Sequence, residues 1–181
     1  MGKGRFGTYT CVSAALMPKL PLYIDPIEAA TMRLIYMTAV YAFEHATHTH
    51  KRQKLLIQSA SGGLGLAAIR LARSKKAEIP ATAGPPDKGR FLTEEMGIAA
   101  SHIFPSATQQ VRAHRPRHRS RRLRVILSTA QSDMLYESIK ALAPLGHLID
   151  VERLGMTSAM SLGLEVSFES VLASPHLILI S

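Results

Sequence analysis

The residues with the clearest chemical spacing in this sequence are Ala60-Ser61-Gly62-Gly63-Leu64-Gly65, which match the pattern G/A-x-G-x-x-G. In a dinucleotide-binding fold, this pattern lets the chain leave a strand, turn sharply and enter a helix whose N-terminal amides and dipole receive a pyrophosphate. Ala60 would occupy the tight turn, Gly62 would let the backbone approach the phosphates, and Gly65 would let the helix lie close to the strand. Small residues also form ordinary turns, so the motif needs a preceding strand and a following helix.

The predicted elements around the glycine motif have the required order. Residues 54–58 form a short apolar run typical of a buried strand, and residues 64–74 have the apolar spacing of a helix. Further strands are predicted at 79–83, 102–104, 125–128 and 146–151, with helices at 87–96 and 133–142. Upstream, Asp25-Pro26 marks the start of a helical region that extends to Phe43. This alternation predicts an α/β fold of the Rossmann type with a doubly wound parallel sheet.

The choice of cofactor is normally determined about 20 residues beyond the glycines, where an acidic residue would hold the ribose hydroxyls of NAD. That distance reaches Thr82, and the first acidic residue after the predicted strand is Asp87. Lys88 and Arg90 could neutralise the additional phosphate of NADP. The sequence therefore favours NADP, although Lys88 fits almost equally well as a solvated charge in the first turn of a helix.

The composition excludes several classes of protein. The single cysteine, Cys11, rules out an internal disulfide framework and favours a reducing, cytoplasmic setting. The apolar residues 29–43 contain Arg33 and are too few for the roughly 20 residues that span a bilayer, so no membrane association is predicted. Three histidines between residues 45 and 50 are interpreted as part of a loop between a helix and a strand, and no metal site is predicted.

The net charge of +9 is concentrated in one segment, because seven arginines between residues 111 and 125 account for seven of the nine charges. Neighbouring arginines can neutralise phosphates, so one interpretation is a nucleic-acid or anion-binding loop. The segment contains no aromatic residue for base stacking, which disfavours nucleic acid as a partner. A solvated surface loop is the favoured interpretation, and an altered reading frame is a third.

Residues 54–92, KLLIQSASGGLGLAAIRLARSKKAEIPATAGPPDKGRFL, closely resemble the enoyl reductase domain of polyketide and fatty acid synthases. That domain belongs to the zinc-independent, quinone-oxidoreductase-like branch of the medium-chain dehydrogenases. Shorter segments on both sides of residues 54–92 also resemble the family and occur in its order, including EAATMRLIYMTAVYAF, SHIFPS and ALAPLGHLIDV. The resemblance covers nearly the whole chain and is greatest to the fungal, highly reducing polyketide synthases.

The resemblance implies hydride transfer from NADPH to the β-carbon of an α,β-unsaturated acyl thioester held by an acyl carrier protein, followed by protonation at the α-carbon. It implies that Thr38 approaches the nicotinamide, that the glycine turn approaches the pyrophosphate, and that Thr82 and Lys88 approach the 2′-phosphate. The cofactor-binding residues predicted from the motif and the resemblance are Thr38, Ala60, Gly62, Gly63, Leu64, Gly65, Thr82, Lys88, Arg90 and Ser128. No catalytic residue is assigned, and a homodimer is left open.

Four departures from the family pattern bear on activity. Pro85 replaces the usual serine of the phosphate loop, Gly89 replaces an arginine, and Ser128 replaces an asparagine. The family's EIG becomes Asp150-Val151-Glu152, which places a carboxylate where a glycine lets the nicotinamide approach. Two alternatives to a reductase domain therefore stay open: a free-standing quinone or enone oxidoreductase, and a non-catalytic remnant that acts as an interaction or nucleic-acid-binding module.

The resemblance also divides the chain into three parts. Residues 1–25 are interpreted as the remnant of a GroES-like β domain, residues 26–155 as the NADP-binding Rossmann domain, and residues 156–181 as a truncated C-terminal segment. Residues 176–180 are predicted to form a strand whose natural partners are missing from the chain. On this interpretation, the chain holds part of a larger domain and lacks much of the substrate-binding wall.

Overall fold

The computed structural model describes residues 11, 13–16, 19–105, 123–129, 138–139, 141–151 and 176–179. The chain divides into two compact units, Met1–Arg33 and Leu34–Ser181. The described part of the first unit contains a short 3-10 helix, Ala14–Leu16, and the beginning of helix α1. All of the predicted site residues belong to the second unit, and the GroES-like origin of residues 1–25 stays a prediction.

Helix α1 begins where its capping residue predicts. Helix α1, Pro26–Val40, starts after Asp25, whose Oδ1 accepts a hydrogen bond of 3.1 Å from Ile27 N–H. A π-helical turn, Tyr41–Ala46, continues it. Helix α2 is Gly63–Ser74, helix α3 is Pro86–Glu94, and a 3-10 turn is Ala100–His102.

In the described part of the chain, one sheet contains six parallel strands in the order β3-β2-β1-β4-β5-β6. The strands are β1 Leu55–Ile57, β2 Ala81–Ala83, β3 Ile103–Pro105, β4 Leu123–Ser128, β5 Leu142–Asp150 and β6 His176–Leu179. The chain builds outward from β1 in one direction and then from β4 in the other. The order therefore reverses between β1 and β4, which is where parallel α/β sheets bind their ligands, at the carboxyl ends of the strands.

Both faces of the sheet carry buried apolar side chains, as expected of strands that are covered on two sides. Because side chains alternate along a strand, Leu55 and Ile57 join one cluster and Leu56 joins another. The first cluster includes three alanines of α2, which are Ala67, Ala68 and Ala72. Small side chains on this helix let its axis lie close to the sheet, and so they fix the height of its first turn above β1.

The observed elements confirm the predicted Rossmann fold, but two predictions in the second half of the chain are wrong in detail. Leu142 was predicted to end a helix and instead begins β5, so this strand starts four residues earlier than predicted. The strand absorbs an irregularity at Leu145, which has φ of 58°, and the β4–β5 register shifts between Leu123 and Val125.

The other correction concerns the C-terminal strand, which was predicted to lack its natural partners. β6 pairs in parallel with β5, from His147 opposite His176 to Asp150 opposite Leu179. Its residues lie within the predicted C-terminal segment and yet belong to the sheet. The predicted domain bounds at residues 25 and 155 stay predictions.

Candidate dinucleotide-binding site

The glycine motif lies at the carboxyl end of β1, where the strand order reverses. The strand ends at Ile57, and a turn over Ser59–Gly62 closes with a hydrogen bond of 2.9 Å from Gly62 N–H to Ser59 O. Ser59 has a left-handed φ of 49°, which a residue with a side chain adopts at an energetic cost. The left-handed residue of the turn is thus Ser59, one position before Ala60, to which the spacing assigned the tight bend. Ala60 itself is fully buried.

The first turn of α2 presents backbone donors that its N-cap residue, a glycine, does not cap. Gly62 is the N-cap residue, with extended backbone and no side-chain cap, and its carbonyl accepts the first helical bond of 2.9 Å from Leu66 N–H. The amides of Gly63, Leu64 and Gly65 therefore precede the bonded part of the helix. Gly62 and Gly63 are exposed. A diphosphate fits this donor set, because several amides and the positive end of the helix dipole converge on it.

The two ends of the motif have different steric requirements. A Cβ atom placed on Gly65 would lie 2.5 Å from Ala60 O and 2.6 Å from Ala60 Cα, closer than any real contact. A Cβ atom on Gly63 would meet Ile35 Cγ2 at 3.8 Å and Ile35 Cδ1 at 3.9 Å, which are ordinary contacts. Gly65 therefore has the packing role that the spacing predicts, whereas Gly63 leaves its surface open to a ligand.

Thr82, predicted to approach a 2′-phosphate, is bonded to the glycine turn. Its Oγ1 accepts a hydrogen bond of 3.1 Å from Ser59 N–H, and its carbonyl accepts one of 2.9 Å from Ala60 N–H. The residue is 1% exposed. The structure thus brings Thr82 and the glycine turn together, across neighbouring strands.

The predicted phosphate-binding cations lie on α3, the helix that follows β2. Pro85 is its N-cap residue and supplies no side-chain cap, and Lys88 N–H donates to Pro85 O at 3.0 Å. Lys88 and Arg90 are exposed. Arg90 forms an ion pair with Asp87, and because both side chains are more than two-thirds exposed, the pair is weak enough for a phosphate to compete with it.

The remaining predicted residues, Thr38 and Ser128, lie on different elements. Thr38 is half-buried on α1, and its hydroxyl donates to Leu34 O at 2.9 Å. Ser128 is fully buried at the carboxyl end of β4, next to β1, and lies in register with Asp150 of β5. Glu152, the predicted intruding carboxylate, is outside the described residues.

Sequence reasoning missed a buried polar pair beside the turn. Gln58 directly follows β1 and is 1% exposed, and its Nε2 donates to Ser138 Oγ at 2.6 Å. Gln58 Oε1 and Thr129 Oγ1 are buried without a hydrogen-bond partner in the part of the chain that the structure describes. The sequence signal that could have found this pair is the position of Gln58, a polar residue directly after an apolar strand. Polar residues of a binding site commonly lie at the carboxyl ends of parallel strands.

Outside the site, His45 lies in the π-helical turn Tyr41–Ala46, whereas His48 and His50 lie in the predicted loop before β1. The described residues contain no group of three or more histidine, cysteine, aspartate or glutamate side chains that could hold a metal ion. Glu44 instead pairs with Lys75, whose Nζ lies 2.8 Å from Glu44 Oε1, and this hydrogen bond lowers the pKa of the Glu44 carboxyl. Among the same residues, no helix combines the length and the apolar content needed to cross a bilayer.

The arginine-rich segment lies outside the described residues as far as residue 122. Its last arginine, Arg124, is an exposed residue of β4, and its Nη1 donates to Pro144 O at 3.2 Å. The favoured interpretation of this segment as a solvated loop, and the alternatives of an anion-binding loop and an altered reading frame, therefore stay predictions.

Comparison with curated proteins identifies relatives over nearly the whole chain. The chain is 57% identical over 171 residues to the highly reducing polyketide synthase xilA of Penicillium rubens. The matched residues are 94% of this chain and 7% of the synthase. Prosolanapyrone synthase of Alternaria solani is 44% identical over 166 residues, covering 91% of this chain and 6% of the synthase. The chain thus spans about 7% of the length of these curated relatives. No protein-family model matches the sequence.

Comparison with solved structures identifies the corresponding part of such synthases. CurK enoyl reductase superimposes with a TM-score of 0.74 at 27% identity, over 90% of this chain and 46% of that one. The chain is homologous to the enoyl reductase domain of polyketide synthases. The nucleotide-binding subdomain of the PpsC enoylreductase domain from Mycobacterium tuberculosis shares the fold, with a TM-score of 0.68 at 22% identity over 82% of this chain and 79% of that one. A quinone oxidoreductase from Thermus thermophilus, solved also with NADPH, has a TM-score of 0.67 at 22% identity, over 90% and 48%.

These comparisons confirm the predicted family and the predicted Rossmann fold. In this enoyl reductase homologue, the open end of α2 lies at the topological switch point of the sheet, as the fold requires of a dinucleotide site. Of the departures from the family pattern, Pro85 and Gly89 lie at the start of α3 and Ser128 lies at the end of β4, so none of these three is in the glycine turn.

Proposed function

We propose that this chain binds NADP(H) and forms part of an NADPH-dependent enoyl reductase that reduces an α,β-unsaturated acyl thioester. The observation that carries the proposal is the uncapped first turn of α2, with exposed Gly62 and Gly63, at the carboxyl edge of the sheet. Homology to enoyl reductase domains supports the reaction, and the fold neighbour solved with NADPH supports a nicotinamide cofactor. The cofactor, when bound, would supply the hydride that reduces the β-carbon of the substrate.

In this proposal, the pyrophosphate is bound by the backbone of the glycine turn. Gly63 and Leu64 supply the donors, because the amide of Gly62 is already bonded to Ser59 O inside the turn. Gly62 contributes through its missing side chain, which leaves the approach to these amides open. Gly65 keeps α2 close enough to β1 for the two donors to lie at the sheet edge.

The choice of NADP over NAD depends on charge at the end of β2. No acidic residue lies between Ala81 and Pro86, so nothing there would hold ribose hydroxyls or repel a 2′-phosphate. Lys88 is exposed in the first turn of α3, where its charge adds to the positive end of that helix. Arg90 supplies a second cation once a phosphate displaces Asp87 from it.

At the nicotinamide end, we assign Thr38 as a residue that contacts the ligand and the fully buried Ser128 as a residue that shapes the end of β4. The Thr38 hydroxyl donates its proton to Leu34 O, so the oxygen is left to accept a hydrogen bond from the ligand. Ser128 ends β4 directly beside β1 and replaces the amide of the family's asparagine with a shorter hydroxyl. We also propose an acyl carrier protein as the substrate's carrier and a homodimer. A cytoplasmic location is proposed as well, because a chain with a single cysteine suits a reducing compartment.

The cofactor assignment is tested by thermal melting with NADPH and with NADH. At a concentration about 100-fold above its Kd, a ligand stabilises the folded state by about 2.7 kcal/mol, which raises the Tm by roughly 5–10 °C. We expect NADPH to raise the Tm more than NADH does. Equal shifts would overturn the choice of NADP, and no shift with either would overturn cofactor binding.

Matched lysine variants locate the effect. Lys88→Ala is expected to bring the NADPH shift down to that of NADH. The control is Lys51→Ala, at another exposed lysine before the amino end of β1, and it is expected to change neither shift. Loss of the NADPH preference in both variants would contradict a specific role for Lys88.

The reaction is tested by following NADPH oxidation. An enoyl thioester on an acyl carrier protein is the expected substrate, and its saturated product is identified by mass spectrometry. Turnover of a quinone without any carrier, and none of the thioester, would instead assign a free-standing oxidoreductase. Cofactor binding with neither activity would assign a remnant that has lost catalysis.

A further inference from the structure

The middle residue of β2 makes two bonds to the turn that follows β1. Ser59 N–H donates to Thr82 Oγ1 at 3.1 Å, and Ala60 N–H donates to Thr82 O at 2.9 Å. Thr82 therefore accepts hydrogen bonds from the amides of two consecutive residues of the turn. The side-chain bond is the one that depends on residue type, since any residue would supply the carbonyl.

The amide that donates to Thr82 Oγ1 belongs to Ser59, the residue of the turn with a strained backbone. Ser59 holds φ of 49°, a region that residues other than glycine, asparagine and aspartate rarely adopt. Such a conformation persists only when surrounding contacts determine it. Its carbonyl must also face Gly62 N–H, because that bond of 2.9 Å closes the turn and sets the direction in which α2 begins.

Burial makes Thr82 poorly placed to contact a ligand directly. It is 1% exposed, and its hydroxyl oxygen already accepts a hydrogen bond from the turn. By contrast, the neighbouring Lys88 is exposed on α3. The two residues that the family resemblance assigns together to a 2′-phosphate thus differ in what they can reach.

We propose that Thr82 is a positioning residue, whose hydroxyl holds Ser59 in its left-handed conformation and thereby sets the direction of the α2 amides toward the pyrophosphate. This role rests on the proposed binding of a nicotinamide dinucleotide, and it differs from contact with the 2′-phosphate. It makes one prediction that separates the two roles. Both NADPH and NADH carry the pyrophosphate, so loss of the hydroxyl weakens both, whereas a residue that contacts the 2′-phosphate matters only to NADPH.

The test compares Thr82→Val, which keeps the shape and removes the acceptor, with Thr82→Ser, which keeps the acceptor. Dissociation constants for NADPH and NADH are measured by fluorescence titration. We expect Thr82→Val to weaken both ligands by about tenfold, the usual effect of one hydrogen bond, and to leave their ratio within about twofold. Thr82→Ser is expected to restore both affinities to within about threefold. Weakening of NADPH alone would overturn the proposal in favour of phosphate contact, and so would failure of Thr82→Ser to restore binding.

Amide exchange gives a second readout that needs no cofactor. In Thr82→Val, the Ser59 amide is expected to exchange at least about tenfold faster than in the unmodified protein, while amides in the centre of α2 are unchanged. If the protein bound neither NADPH nor NADH, the proposed function would be overturned. The exchange rate of the Ser59 amide would then still decide the role of Thr82. Unchanged exchange at Ser59 would overturn that role.

If Thr82→Val does not fold, the unmodified protein still decides. The amides of Ser59 and Ala60 are expected to be protected from exchange, whereas Ser61 N–H, which donates no hydrogen bond among the described residues, is expected to exchange quickly. Exchange of Ser59 at the rate of Ser61 would overturn the proposal.

Discussion

Replacing Gly65 with alanine tests the packing that holds the proposed cofactor-binding turn in place. The added Cβ would lie 2.5 Å from Ala60 O and 2.6 Å from Ala60 C and Cα. Ordinary contact begins at 3.4 Å, so a gap of about 0.9 Å must open. The atoms involved are backbone at the end of β1, which cannot rotate away, and α2 must therefore move as a unit.

The size of the effect follows from two opposing contributions. Overpacking of this kind costs about 1–3 kcal/mol or more, and alanine recovers up to about 1 kcal/mol through its higher helix propensity. We expect a net loss of about 2 kcal/mol in the free energy of unfolding, which lowers the Tm by roughly 4–8 °C in a chain of this length. Displaced amides no longer converge on one ligand, so we expect the NADPH affinity to fall at least about tenfold.

The measurement is a urea unfolding curve followed by circular dichroism, together with an NADPH titration. Gly89→Ala is the matched control, because its Cβ would meet only Ile103 Cγ2 at 3.7 Å, and we expect its stability to be unchanged or slightly higher. If Gly65→Ala has the same urea unfolding curve and the same NADPH affinity as the unmodified protein, the close approach of α2 to β1 does not position the site.

Three further changes test other contacts. Asp87→Asn removes the carboxylate that pairs with Arg90, and fluorescence titration should show NADPH bound about threefold more tightly and NADH unchanged; equal gains would contradict a phosphate-specific effect. Ser59→Val places a β-branched side chain at φ of 49°, so urea unfolding should show a loss of about 1–2 kcal/mol, and unchanged stability would contradict the left-handed turn. Lys75→Met removes the cation that lowers the pKa of Glu44, so it should destabilise the protein near neutral pH. Thermal melts at several pH values should show the stability difference between Lys75→Met and the unmodified protein disappearing as the pH falls through the lowered pKa of Glu44. A difference that does not depend on pH would show that the loss is not electrostatic.

The sequence predicted the fold well because the decisive signals are local. The apolar run before Ser59, the small residues through Gly65 and the alternation of strands and helices after them need no distant contact to be recognised. β5 was placed less well, since Pro144 and Gly146 look like a turn. Pairing with β4 keeps the strand intact through that irregularity, and this contact is not visible in the sequence.

The candidate site shows the same limit at finer scale. A serine at positive φ has no local signal, because the bond that stabilises it comes from Thr82, 23 residues farther along the chain. In the same way, the sequence shows that Thr82 has a hydroxyl on the strand next to β1, but it does not show which N–H group donates to that hydroxyl. The spacing therefore predicted the candidate site, whereas the hydrogen bonds within it could be assigned only from the coordinates.

The strand order also has a consequence for how the molecule folds during synthesis. Leu55 of β1 pairs with Val125, about 70 residues later, so β1 keeps one edge unpaired until β4 has left the ribosome. Parallel pairing over such a separation closes late and slowly, and an open apolar edge can meanwhile join another chain. Expression at low temperature or with a chaperone should therefore increase the yield of native protein more than a stabilising substitution in α3 does.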